Sequence, residues 1–245
     1  MNKNCEDMDF CVRLANKNIA IHSVNSYIHD LCEKYLVDNN AKPDIEICTD
    51  QYMIEREIDR VYKIEGIKHG SKIIEGLLIH RLIAEALLDH DIFLMHGAVI
   101  ATSCCAYMFT GASGTGKTTH VTKWLENIED SYIVNGDKPF LICQEKVLAC
   151  GTPWSGKEHY DKNTIVPLNS IVIMERSSEN RMEEISFKSA FPMLLQQTHQ
   201  PADADKMRKT LALLMKMKDS VRFYRFYFDN FKDDCFQVAY DALTK

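Results

Sequence analysis

The stretch YMFTGASGTGKTTHVTKWL, residues 107–125, decides the expected fold. Its first part is an apolar run typical of a buried strand, and its last part has the spacing of an amphipathic helix. Between them, residues 111–118 (GASGTGKT) match the complete phosphate-loop pattern G-x-x-x-x-G-K-[ST]. Glycines in such a loop let successive backbone N–H groups turn inward around a phosphate, and the following helix adds its positive N-terminal end. The sequence therefore predicts that a nucleotide phosphate binds here.

The loop also predicts which residues contact the nucleotide. Lys117 would bring a positive charge to the β- and γ-phosphates, and the Thr118 hydroxyl would ligate Mg²⁺. The residues expected to contact ATP all belong to the loop and the first turn of the helix: Gly111, Ala112, Ser113, Gly114, Thr115, Gly116, Lys117, Thr118 and Thr119.

A carboxylate for the metal is expected at the end of a neighbouring strand. In YIVNGDKPFL, Asp137 follows the apolar pair Ile133 and Val134, where a strand would end beside the loop. The alternative is a plain turn aspartate, because Asn-Gly-Asp is also favourable turn sequence. His96 ends the apolar run DIFLMH and is open to two interpretations, a catalytic histidine or a buried structural one.

A second unusual stretch is GTPWSGKEHY, residues 151–160, which predicts a shaped surface loop. Its Lys157 would neutralise charge that develops on a transferred phosphoryl group. Trp154 would either stack on an acceptor or anchor the turn, and the sequence favours neither. Arg176, at the end of an apolar strand, would point toward the same cleft or remain solvated.

Composition and charge restrict the class of protein. A chain of 245 residues can form one large domain or one and a half average ones. The formal net charge of −6 argues against nucleic acid or an anionic membrane as the main partner. The first residues lack the apolar core of a signal peptide, and no run reaches membrane-spanning length. We therefore expect a cytoplasmic protein.

The nine cysteines do not form a recognisable metal or disulfide pattern, because the sequence has no C-x-x-C pair and their number is odd. Cys143 and Cys150 flank a predicted hairpin and are the pair most able to approach one another. Buried, reduced thiols are the favoured interpretation.

Secondary-structure signals indicate a mixed order of elements. Before the loop, we expect short strands at 10–23, a helix at 25–37, edge strands at 44–49 and 59–64, and a long helix from Ser71. After it, we expect a hairpin that turns near 144–146, two further strands and three helices: NSIVIMER, VRFYRFYF, 188–198, 203–218 and DDCFQVAYDAL. Hairpins inserted between crossovers predict a mixed central sheet.

These motifs resemble a known family. The dipeptide His96-Gly97, two strands, the phosphate loop and an aspartate at a strand end resemble HPr kinase/phosphorylase. The sequence GASGTGKTT is similar to the loop of ATP-dependent phosphoenolpyruvate carboxykinase, whose P-loop fold HPr kinase shares. Residues 119–124, 135–139 and 151–157 also resemble small bacterial proteins of this class, near the HPr-kinase-like peptide serine kinases. The resemblance is strong over 92–175.

The resemblance implies an α/β fold, a P-loop nucleotide-binding domain of the HPr kinase/carboxykinase type with a mixed central sheet. We expect 1–245 to form one domain, in which 1–70 flank or extend the sheet around a nucleotide-binding core at 92–175. Because HPr kinase is a hexamer, a homo-oligomer is also expected to be possible.

The resemblance also implies roles for individual residues. His96 becomes a polar partner near the transferred phosphoryl group, Lys117 and Thr118 serve the phosphates and Mg²⁺, and Asp137 becomes one member of what is usually an Asp-Asp pair. The first position of that pair is Gly136 here, so Asp137 would combine metal binding with the role of base, or another residue would supply the base.

The expected reaction is transfer of the γ-phosphoryl group from ATP, with Mg²⁺, to a hydroxyl group. The acceptor is either a serine of a protein or peptide or a small-molecule alcohol. The alternative is a nucleotide-binding regulator with little or no transferase activity, which the missing second aspartate favours.

Overall fold

The computed structural model describes residues 8–38, 41–229, 232 and 234–244. The chain forms two compact units, Met1–Ala86 and Leu87–Lys245, which are described separately below. The organisation of 1–245 as one domain stays a prediction. Cys5 lies outside the described residues. Among the described residues, none of the helices combines the length and the apolar character that crossing a membrane requires.

The described residues of the first unit form a small sheet and three α-helices. Its strands β1 (Met8–Leu14), β2 (Lys17–Ser23), β3 (Leu36–Val37) and β4 (Ile45–Cys48) are ordered β3-β1-β2-β4. β1 and β2 form an antiparallel hairpin, whereas β2 and β4 are parallel. The helices are α1 (Tyr27–Leu31), α2 (Gln51–Glu65) and α3 (Ser71–Leu87).

The edge strand predicted at 59–64 is wrong, because these residues belong to α2. Asp50 caps the helix by accepting a 2.7 Å hydrogen bond from the Met53 N–H, and Gly66 ends it in a left-handed conformation. Ile54 and Val61 lie on one face and pack against α3. The helical spacing of apolar residues along α2 and its two caps determine the structure here, although the short stretch 59–64 taken alone also fits a strand.

The second unit is built on a nine-stranded mixed sheet. Its main path is ordered β5-β9-β10-β11-β7-β6-β8, β13 pairs with β11, and β12 pairs with β13. The strands are β5 (Ile92–Leu94), β6 (Ala98–Ala101), β7 (Ala106–Thr110), β8 (Tyr132–Asn135), β9 (Phe140–Cys143), β10 (Val147–Cys150), β11 (Ile165–Arg176), β12 (Arg181–Ile185) and β13 (Arg222–Phe228). The helices are α4 (Lys117–Asn127), α5 (Phe187–Gln197), α6 (Ala204–Lys216) and α7 (Cys235–Leu243).

The mixed sheet predicted from the sequence is confirmed. β11 is parallel to β7 and β13 but antiparallel to β10, and β6 is antiparallel to both of its neighbours. The hairpin β9–β10 turns at 144–146 as expected. β12, of sequence RMEEI, is an additional edge strand that the sequence does not predict, because only two of its five residues are apolar.

The cysteines are mostly buried. None of the eight described cysteines forms a disulfide, and Cys11, Cys32, Cys143, Cys150 and Cys235 are buried. In the hairpin, Cys143 lies opposite Val147 and Cys150 lies opposite Phe140, so the two thiols are not register partners.

α4 packs on the sheet through an aromatic cluster with a histidine at its centre. His120 is fully buried, and its ring lies against the rings of Phe109 and Phe226. The Trp124 Nε1–H donates a 3.2 Å hydrogen bond to His120 Nε2. Nε2 is therefore an acceptor, and the neutral ring carries its proton on Nδ1, which lies 3.7 Å from the Cys235 sulfur.

Burial lowers the pKa of His120 to about 3 from an ordinary value of 6.5, and the charge of Lys123 adds to the effect. Below pH 6.5, His120 binds a proton in the unfolded chain but stays neutral in the folded chain. The free energy of unfolding therefore falls as the pH falls. Between pH 6.5 and 5 this group alone should remove about 2 kcal/mol from the free energy of unfolding. We expect His120→Gln to lose less stability than the wild type over that interval, measured by urea unfolding. Parallel losses in both proteins would contradict this assignment.

Candidate functional site

The phosphate loop lies between a central strand and a helix, as the motif requires. β7 ends at Thr110 and α4 begins at Lys117. Gly116 occupies the N-cap position with φ of 109°, a backbone conformation that residues other than glycine rarely adopt. The loop therefore presents the N-terminus of an 11-residue helix to the cavity described below.

Lys117 is held inside the loop. Its side chain is buried, and its Nζ donates 3.1 Å hydrogen bonds to the carbonyl oxygens of Gly111 and Ala112. Burial lowers the pKa of Lys117, and the negative charge of Asp137 opposes that shift. A buried cation bonded to neutral carbonyl groups is stabilised when an anion binds beside it.

Asp137 is positioned by Asn135, which ends β8 and is fully buried. The Asn135 Oδ1 accepts hydrogen bonds from the backbone N–H groups of Asp137 (2.9 Å) and Lys138 (2.7 Å). Its Nδ2 donates to the carbonyl and hydroxyl oxygens of Thr152, at 2.9 and 3.0 Å. This side-chain turn fixes the direction in which the chain leaves β8, and it ties Asp137 to the loop that begins at residue 151.

Close backbone contacts explain why position 136 is a glycine. A Cβ added there would lie 2.9 Å from the Ser155 carbonyl oxygen and 3.5 Å from that of Tyr160. The Gly136 N–H also donates a 2.8 Å hydrogen bond to the Tyr160 carbonyl, which holds the 151–161 loop close. An aspartate at position 136 does not fit unless this loop moves, so this backbone does not accommodate two adjacent aspartates.

His96 connects Asp137 to helix α5. Its Nε2 lies 3.1 Å from Asp137 Oδ1, and its Nδ1 lies 2.8 Å from Gln197 Oε1. Gln197 also accepts a 2.7 Å hydrogen bond from the His96 N–H through its backbone carbonyl. Both ring nitrogens face acceptor oxygens, so each of these hydrogen bonds needs an N–H on the ring nitrogen that makes it. Gln197, distant in sequence, is thus the residue that orients His96.

Opposing effects act on the Asp137 carboxyl group. Burial raises its pKa, but the hydrogen bond to His96 and the charges of Lys138, His96 and Lys117 outweigh burial, so that the net pKa is lowered. Asp137 is consequently ionised at neutral pH, and its carboxylate can bind a cation.

These groups share one cavity of about 780 Å³. It is lined by residues of the loop, of the strand ends and of the 151–161 loop: His96, Ser113, Gly114, Gly116, Lys117, Thr118, Thr119, Gly136, Asp137, Glu158, Arg176, Ser177, Phe228 and Asp229. Most of the predicted site residues therefore lie together, although their roles in binding and catalysis stay predictions.

The remaining predicted residues have other positions. Gly111, Ala112 and Thr115 belong to the loop but, among the described residues, are not part of the cavity wall. Lys157 is exposed and likewise does not line this wall in the part of the chain that the structure describes.

The structure also shows the positions of Trp154 and Arg176, for each of which the sequence allows two roles. Trp154 is 9% exposed, which favours a turn anchor over a stacking surface. Arg176 lines the cavity, and its Nη2 donates a 2.7 Å hydrogen bond to the Gly114 carbonyl oxygen.

The sequence does not predict two further carboxylates that line the cavity, Glu158 and Asp229. Glu158 and Asp137 both lie close to Gly156. A Cβ added at Gly156 would be 3.3 Å from Asp137 Cβ and 3.6 Å from Glu158 Oε2. The sequence offers no strand-end signal for Glu158, because it lies in an irregular loop that only the fold brings to the cavity.

Comparison with known proteins gives no sequence match but finds similarity to a solved structure. Neither a protein-family model nor a curated protein matches the sequence. A solved structure of the Hpr(Ser) kinase/phosphatase from Coxiella burnetii is similar, with a TM-score of 0.34 and 9% sequence identity. The similarity covers 62% of this chain and 93% of that chain.

The steric account of position 136 is testable. We expect Gly136→Ala to destabilise the protein by about 1–3 kcal/mol, because the new methyl group meets backbone rather than a movable side chain. Gly70→Ala is the matched control, since a Cβ at Gly70 has no atom of the described residues within 4 Å. Thermal melts of both variants decide the matter. Equal melting temperatures for Gly136→Ala and the wild type would refute the account.

Proposed function

We propose that the protein is an ATP- and Mg²⁺-dependent phosphotransferase of the HPr kinase type, which transfers the γ-phosphoryl group to a hydroxyl. The observation that carries the proposal is the geometry of one cavity. A complete phosphate loop with a buried lysine lines this cavity, and a histidine-bound carboxylate lines it as well.

The residues present fit a magnesium nucleotide. The buried cation of Lys117 and the N-terminus of α4 suit an anionic triphosphate. Thr118 and Glu158 would supply oxygen ligands of the kind that Mg²⁺ prefers. Mg²⁺, when bound, neutralises charge on the β- and γ-phosphate oxygens.

Asp137 would act as the base in transfer. The acceptor oxygen forms a bond to the γ-phosphorus, the bond from that phosphorus to the β,γ-bridging oxygen breaks, and the hydroxyl proton passes to an Asp137 carboxylate oxygen. His96 would keep Asp137 ionised and oriented through its Nε2–H, while Gln197 holds the ring from the other side. Lys117 and Arg176 would offset negative charge near the phosphates.

Glu158 supports transferase activity despite the absence of an adjacent aspartate pair. In the proposal, Glu158 serves the metal, so that Asp137 remains available to the acceptor. The acceptor is a serine of a protein or peptide or a small-molecule alcohol, and the protein acts in the cytoplasm.

A second candidate is a nucleotide-binding regulator with little or no transferase activity. Gly136 favours it, because a glycine occupies the position where the related pattern has a carboxylate. The regulator would bind nucleotide in the same cavity but would not depend on Asp137 for turnover.

The proposal is tested by following the label of γ-labelled ATP with a panel of serine peptides, small alcohols and the protein alone. We expect Asp137→Asn to lower kcat by several orders of magnitude while nucleotide Kd changes less than about tenfold, since a base acts chiefly in the transition state. His96→Ala should cost about a hundredfold in kcat, as loss of a positioning partner would.

Asp205→Asn, at an exposed ion pair on α6, is the matched control and should leave kcat unchanged. Normal turnover by Asp137→Asn together with an inactive His96→Ala would reverse the two roles. Nucleotide binding with no transfer to any acceptor would favour the regulator.

A further inference from the structure

The small sheet of the first unit carries an exposed row of metal-binding side chains. Asp9 on β1 is the register partner of His22 on β2, and His22 is the register partner of Cys48 on β4. Directly paired residues on neighbouring strands project from the same face, so these three side chains form a line across the sheet. Glu46, two residues before Cys48, lies on that face as well.

Their atoms are close together. His22 Nδ1 lies 2.6 Å from Asp9 Oδ1, and His22 Nε2 lies 3.1 Å from Glu46 Oε1. One ligand atom from each of His22, Glu46 and Cys48 can be chosen so that all lie within 4.8 Å of one another. A tetrahedral zinc ion with bonds of about 2.0–2.3 Å places its ligand atoms roughly 3.3–3.8 Å apart. The separation of at most 4.8 Å is within about 1.5 Å of that spacing.

The hydrogen bond between His22 and Asp9 is of the kind that orients a metal-binding histidine. A metal-binding histidine generally donates its second ring N–H to a carboxylate, which fixes the tautomer and leaves the other nitrogen free to bind. Asp9 occupies this place at Nδ1, so Nε2 is directed toward Glu46 and is available to a metal. Thiolate, imidazole and carboxylate together form a set that zinc-type ions prefer over Mg²⁺ or Ca²⁺.

The backbone beneath the row is held by a buried glutamate. Glu75 of α3 is fully buried, and its carboxylate accepts hydrogen bonds from the Val24 N–H (2.7 Å) and the Thr49 hydroxyl (2.6 Å). Val24 and Thr49 directly follow β2 and β4, so one carboxylate fixes the ends of both strands beside His22 and Cys48. Ala20, the register partner of Glu46, leaves space on the same face.

The row also concentrates negative charge, because the carboxylates of Asp9 and Glu46 lie on either side of the His22 ring.

We propose that His22 Nε2, the Glu46 carboxylate and the Cys48 thiolate form a binding site for a divalent zinc-type ion, with Asp9 positioning His22. Binding displaces the thiol proton of Cys48 and any proton on Nε2, and water fills the fourth position. The site is separate from the cavity of the second unit and clamps β2 to β4.

The test uses Co²⁺ as a spectroscopic probe in the full-length protein. We expect one equivalent of Co²⁺ to produce a thiolate-to-metal absorption band, and Zn²⁺ to displace it and to raise the melting temperature. Cys48→Ser should abolish the band, His22→Ala should weaken binding at least a hundredfold, and Asp9→Asn should weaken it about 10–100-fold.

Two control variants retain every proposed ligand. Cys104→Ser removes the other exposed thiol among the described cysteines, and His69→Ala removes a half-buried histidine paired with Glu65. Both should bind Co²⁺ as the wild type does. A folded wild type with no band, or a band that survives in Cys48→Ser, would overturn the proposal. A band that requires two protein molecules per metal ion would overturn it too.

Discussion

The buried amide of Asn135 is the interaction on which the candidate site depends. With four hydrogen bonds it joins the end of β8, the turn that carries Asp137 and the start of the 151–161 loop. Asn135 therefore fixes the regular sheet to the irregular wall of the cavity. Loss of either end of this amide would leave a buried polar group unpaired, which costs about 1–3 kcal/mol.

The close approach that Asn135 imposes has two consequences for chemistry. It leaves no space for a side chain at position 136, which removes one carboxylate from the strand end. It also brings Glu158, from a different part of the chain, to the same cavity as Asp137. Together with Asp229, three acidic groups thus line the same cavity as Lys117, an arrangement that suits a cation and an anionic substrate together.

Much of this arrangement could be predicted from the sequence, because its signals are local. The phosphate loop carries its own pattern, and residues on either side of it identify the strand and the helix. Asp137 could be predicted for the same reason, since it directly follows an apolar strand. Gln197 and Glu158 could not, because their importance arises from tertiary contacts that leave no periodic or motif signal. The six residues 59–64 fit a strand because so short a window does not include the caps of α2 at Asp50 and Gly66.

We expect this cavity to bind a magnesium nucleotide through Lys117 and the start of α4. The most direct measurement is the Kd for ATP, with and without Mg²⁺, of the wild type and of Lys117→Ala by titration calorimetry. The account predicts saturable binding at one site that Mg²⁺ strengthens, and a Kd at least a hundredfold higher in a Lys117→Ala protein that remains folded. An equal Kd in the two proteins, or no binding by the wild type at millimolar ATP, would contradict it.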